Sequence, residues 1–133
     1  MTVALSVEAP GRVRRSLERH YVDSIERSLL DDITVMASEL VTNAVQHSGR
    51  PDGDPIEVTA QESGGVFRVV VTDGGVGMDR MVARSSDPPS GLRLVQLLSD
   101  RWASSQTHSF EVWFEIDVTR RALKLARTPQ FSA

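Results

Sequence analysis

The chain has 133 residues, 40% hydrophobic and 25% charged, with a formal net charge of −3 and no cysteine. That length suits one domain with a real core, and the mild acidity argues against nucleic acid or an anionic membrane as partner. Without cysteine there are no disulfides or thiolate metal sites, and without a transmembrane-length apolar run or a signal-peptide order at MTVALSVEAPGRVRRS the expected location is cytoplasmic.

Residues 2–8, TVALSVE, alternate partly between apolar and polar and predict a short strand, broken by Ala9, Pro10 and Gly11. In GRVRRSLERHYVDSI, Val13, Leu17, Tyr21 and Ile25 recur every four residues and predict an amphipathic helix. A second helix is predicted from about Leu30 to His47, opening on Asp31 and Asp32 and stopping at Ser48–Gly49. Its packing face reads Ile33, Met36, Leu40 and Ala44. RPDGDP is a loop by composition, and IEVTAQE and VFRVVVTD are β-rich runs joined by SGG, which predicts a hairpin.

After Asp73 the stretch GGVGMDRMVARSSDPPSG is long for a connection inside a compact domain and reads as a functional lid or a disordered segment. LRLVQLLSD, from Leu92, is helical in pattern, and RWASSQT and FEVWFEIDV predict a closing pair of strands. The expected organisation is one domain over residues 1–117 and a basic tail over 118–133. Hairpin-linked strands with few crossovers predict an α/β two-layer sandwich, a mixed and mostly antiparallel sheet with helices on one face.

Three features carry chemistry. In ASELVTNAVQHSG, Glu39 and Asn43 lie four residues apart on one helical face, and His47 extends the line by another turn. Their stripe borders the one holding Leu40 and Ala44, so they are expected at the rim of the core. Alone, such a pair is what the solvated face of many helices carries. In VTDGGVGM an acid ends an apolar strand before Gly74, Gly75 and Gly77, which let backbone N–H groups approach a ligand. The pattern lacks the third glycine of a dinucleotide fingerprint and the Gly-Lys-Ser/Thr of a P-loop. In PPSGLRLV a glycine leads directly into an apolar helix, whose N-terminus offers N–H groups to a phosphate.

Taken in order, these residues resemble the GHKL ATPase superfamily, the Bergerat-fold group of gyrase, Hsp90, histidine kinases and MutL. Within it the chain is most similar to the anti-sigma factor/serine-kinase branch. The resemblance rests on SELVTNAVQHS, VTDGGVGM, GLRLVQLLSDRW and VWFEI and spans residues 1 to about 117. It implies a Bergerat ATP-binding fold with ATP and Mg²⁺ as cofactors, Glu39 as the base that activates a hydroxyl, and Asn43 as the Mg²⁺ ligand. His47, Asp73, Gly75, Gly77, Met78, Gly91 and Leu92 would line the nucleotide, with Asp73 on the adenine amine and Gly91 and Leu92 against the phosphates. The implied partners are an anti-anti-sigma protein of the STAS type, phosphorylated on serine, and a sigma factor held by the kinase, often as a homodimer. With no phosphoacceptor helix ahead of the fold, a sensor-kinase catalytic domain is the lesser expectation.

The chain departs from the family pattern twice. Pro89 stands where the lid normally closes on a glycine, and Glu111 aligns with a threonine of the last strand, which would set a second acid beside Asp73. Proline supplies no N–H donor. These departures motivate the alternative of a protein-binding regulator on the same fold with weakened or lost ATP binding.

Overall fold

The computed structural model describes residues 1–74 and 90–121, with backbone alone at 90 and 91. Five strands, β1 (Thr2–Ala4), β2 (Pro55–Ser63), β3 (Val66–Asp73), β4 (Arg101–Gln106) and β5 (Phe110–Asp117), form one sheet in the order β1-β2-β3-β5-β4. All four strand pairings are antiparallel. Among the described residues three helices, α1 (Ala9–Tyr21), α2 (Arg27–His47) and α3 (Ser90–Leu98), accompany it. α2 packs against both other helices and against β3, while α1 touches β1 and α3 touches β4. This is the expected two-layer sandwich, with the sheet wholly antiparallel among the described strands.

Strand alternation decides which side chains meet the helices. Phe67, Val69, Val71 and Asp73 of β3 are buried, as are Phe110, Val112, Phe114 and Ile116 of β5. They close the core with Val13, Leu30, Ile33, Met36, Leu40 and Val41 of the helices. The alternate residues line an open face, where the Arg68 guanidinium stacks 4.2 Å from the centre of the Trp113 ring.

Helix boundaries differ from the sequence expectation for identifiable reasons. α1 starts at Ala9, because Pro10 falls in the first turn, where its missing N–H costs nothing. It ends at Tyr21, so Ile25 is buried from the connection that follows. α2 starts at Arg27, before Asp31 and Asp32, because Glu26 is its cap: the carboxylate accepts from the Ser28 and Leu29 amides at 2.9 and 3.2 Å. Asp31 instead pairs with Arg27 one turn back, at 2.7 Å.

The β2–β3 hairpin turns on Gly64 and Gly65, with φ of 60° and 81°, the conformation a two-residue turn of matching twist requires. Past β5, residues 118–121 form a helical turn fastened to the α3–β4 corner. Arg120 and Arg121 both reach Asp100, at 2.7 and 3.1 Å, and Arg121 also donates to the Leu98 carbonyl at 2.9 Å. Among the described residues no helix is long and apolar enough to cross a membrane.

Candidate functional site

α2 carries several buried polar side chains, and most are satisfied within the helix itself. The Thr34 hydroxyl donates to the Asp31 carbonyl at 3.0 Å, and Ser38 donates to the Val35 carbonyl at 2.8 Å. Asn43 is different. Its side chain is buried, 4% exposed, and Nδ2 is enclosed without a hydrogen-bond partner. A buried amide left unpaired is costly, so natural structures keep few of them. Rotation of the amide can present either its oxygen or its nitrogen at that position. Glu39, one turn earlier, and His47, one turn later, are both half-buried on the same helical line. Asn43 thus lies deeper than the rim position its spacing suggested.

Asp73 ends β3 on the helix-facing side of the sheet and is 4% exposed. The link from α2 to this strand end is Arg50. Its amide donates to the Ser48 Oγ at 3.1 Å, and its Nε donates to Asp54 at 2.9 Å. So held, the guanidinium leans on Gly74, where a Cβ would come within 3.3 Å of Arg50 Nε. The register continued from Glu57–Thr72 sets Pro55 opposite Gly74, so β2 offers no N–H there and the ladder gives way to this contact. The segment just past α2 thus touches the residue just past Asp73, and α2 itself packs on β3.

The ladder between β3 and β5 corrects one expectation. Asp73 pairs with Phe110, and Thr72 pairs with Glu111. Paired residues share a face of the sheet, so Glu111 lies on the open face and Phe110, fully buried, stands beside Asp73. No second acid is set against Asp73 from β5.

Gly91 and Leu92 fall in the first turn of α3, where backbone N–H groups have no intrahelical partner. The Leu92 side chain is fully buried in the core, which leaves its backbone as the part able to meet a ligand. Gly75, Gly77 and Met78, with Pro89, lie outside the described residues.

A divalent cation fits this arrangement in one way. Among the described residues no three His, Cys, Asp or Glu side chains converge on a metal cage. Mg²⁺ is commonly held by one or two protein oxygens, with phosphates and water completing the shell, and the buried Asn43 amide can supply such an oxygen.

The sequence matches the histidine kinase-like ATPase domain over residues 3–113. The chain belongs to that family. No curated protein gives a match. Among solved structures it is similar to the histidine kinase domain of a blue-light activated histidine kinase from Erythrobacter litoralis EL346. There the TM-score is 0.66 and the identity 19%, over 90% of this chain and 64% of that one. It is similar to a structure of the RsbU and RsbW domains of Rv1364c from Mycobacterium tuberculosis, with TM-score 0.67 and 21% identity, over 87% of this chain and 31% of that one. It is also similar to a chain of the SiaB–SiaC complex from Pseudomonas aeruginosa, with TM-score 0.68 and 14% identity, over 87% and 88% of the two chains. The chain therefore spans less than two-thirds of the first two. At these identities the likeness is one of fold, a Bergerat-type α/β sandwich.

Arg50 escaped the sequence reading. Its signal was modest: an arginine just past the stop of the Asn43 helix, four residues before Asp54.

Proposed function

We propose that the chain is a Mg·ATP-dependent serine/threonine protein kinase of the anti-sigma-factor type, acting on a STAS-type anti-anti-sigma partner and sequestering a sigma factor. The observation that carries this reading is Asn43, a buried amide with an unpaired nitrogen, on the helix after which Arg50 reaches Gly74, the residue that follows Asp73. Membership of the histidine kinase-like ATPase domain family supports it. So does the shared fold with a histidine kinase domain, an RsbW domain and a chain of the SiaB–SiaC complex.

In this mechanism Asn43 would hold the metal through its side-chain oxygen, and Asp73 would accept from the exocyclic amine of adenine. The first turn of α3, at Gly91 and Leu92, receives the phosphates. The metal, when bound, would supply neutralisation of the phosphate charge. Glu39 takes the proton of a serine or threonine hydroxyl on the partner. That oxygen bonds to the γ-phosphorus as the bond to the β–γ bridging oxygen breaks, and ADP leaves. By the family resemblance His47, Gly75, Gly77 and Met78 would also contact the nucleotide. The alternative of a regulator without ATP chemistry loses its argument from Glu111, which lies on the other face of the sheet from Asp73.

The test is phosphate transfer from ATP to STAS-domain proteins encoded alongside this chain, comparing wild type with Glu39→Ala. Transfer by the wild type, with Glu39→Ala slower by about 10²–10⁴-fold at unchanged ATP affinity, is the expected result. Equal rates for the two would remove Glu39 as the base.

A further inference from the structure

Asn43 is not the one buried amide that lacks a partner. Gln106, the last residue of β4, has both Oε1 and Nε2 enclosed and neither hydrogen-bonded. Its place in the sheet is specific. Gln106 pairs with Phe110, and Phe110 pairs with Asp73, so the three stand in one row across β4, β5 and β3 on the helix-facing side. Two strand spacings separate Gln106 from Asp73, about 10 Å between backbones, with the Phe110 ring between them. Only Ser99 and Asp100 connect α3 to β4, and the two elements touch, so β4 runs back beneath α3. Gln106 therefore comes out at the end where α3 begins.

The two orphaned atoms constrain what can satisfy them. Oε1 needs a donor and Nε2 needs an acceptor, side by side and coplanar. A phosphate only accepts, and would leave Oε1 as it is. The N6/N7 edge of adenine offers both, an amine hydrogen next to the N7 acceptor, and glutamine is a bidentate partner for that edge. The two hydrogens of the exocyclic amine diverge, so Asp73 can take one while Gln106 takes the other.

We propose that Gln106 is a base-specificity residue of the nucleotide site, reading the adenine edge from the side opposite Asp73; this rests on the ATP reading above. An amide kept unpaired in the free protein is a burden on stability that binding removes.

The test compares wild type with Gln106→Met, which keeps the length and removes both polar atoms. Calorimetric titrations with ATP and with inosine triphosphate, whose N7–O6 edge carries acceptors only and so gives Oε1 no donor, are run beside thermal melts of the free proteins. Gln106→Met should weaken ATP roughly tenfold, the scale of one lost bidentate contact, and leave inosine triphosphate within about twofold. Free Gln106→Met should melt at or above the wild type. Unchanged ATP affinity, equal weakening of both nucleotides, or a lower melting temperature would each overturn the assignment. A wild type that binds no ATP would overturn the nucleotide reading itself, and this inference with it.

Discussion

Asp73 stands opposite Phe110 in the β3–β5 ladder, on the face that meets the helices. The neighbouring acid of β5, Glu111, is thereby turned to the open face, paired with Thr72 on one side and Ser105 on the other. Glu111→Ala should accordingly leave ATP affinity within about twofold of wild type, because surface changes away from a site rarely move it. A gain of tenfold or more would mean that the carboxylate does reach the nucleotide.

Arg50 and Gly74 give a second expectation. A Cβ at residue 74 would sit 3.3 Å from Arg50 Nε and push the guanidinium off the strand end. The Arg50–Asp54 pair is half exposed, so its own contribution to stability is small, on the order of 0–1 kcal/mol. Gly74→Ala and Arg50→Ala should each weaken ATP several-fold with little change in melting, and the double variant should be no worse than either single one. Additive losses in such a cycle would show the two residues acting independently.

Acid stability should depend on the corner at Asp100. Burial pushes the Asp100 carboxyl up, but the Arg121 hydrogen bond, the Asp117 amide and the charges of Arg121 and Arg120 outweigh it and hold the group below its usual range. Glu115 is likewise lowered, chiefly by its hydrogen bond from Arg101. A carboxyl lowered in the folded state stabilises the fold above its unfolded value, here 3.8 for Asp100, and that contribution is lost as pH falls through the folded value. Asp100→Asn should cost about 1–3 kcal/mol near neutral pH, since it strips charge from a mostly buried acceptor of two arginines. The gap between variant and wild type should close below about pH 4. Denaturant melts across pH 2.5–7 would measure it, and a constant gap would refute the assignment.

Much of the fold was legible from periodicity. β3 was bounded at Val66 and Asp73 as observed, because an apolar run between a glycine pair and an Asp-Gly step leaves little choice. The start of α2 is not legible in the sequence, because acids near an apolar run mimic a helix N-terminus, while the residue that caps it, Glu26, is an uncommon cap. At the site, spacing could place Glu39, Asn43 and His47 on one helical line but could not give depth, and Asn43 proved to be inside. The face on which Glu111 lies depends on strand register, which a one-residue shift inverts. Arg50 and Gln106 are tied to the site by links between segments distant in sequence, Arg50 to Gly74 and, through Phe110, Gln106 to Asp73, which no local pattern can single out.

The most direct test of the central claim is calorimetric titration of ATP into wild type and Asn43→Ala, with Mg²⁺ and with a chelator present. The account predicts saturable binding by the wild type with Mg²⁺, much weaker binding without it, and none by Asn43→Ala while that variant remains folded. Equal affinity for ATP in the folded Asn43→Ala protein, or no binding by the wild type with Mg²⁺ present, would contradict it.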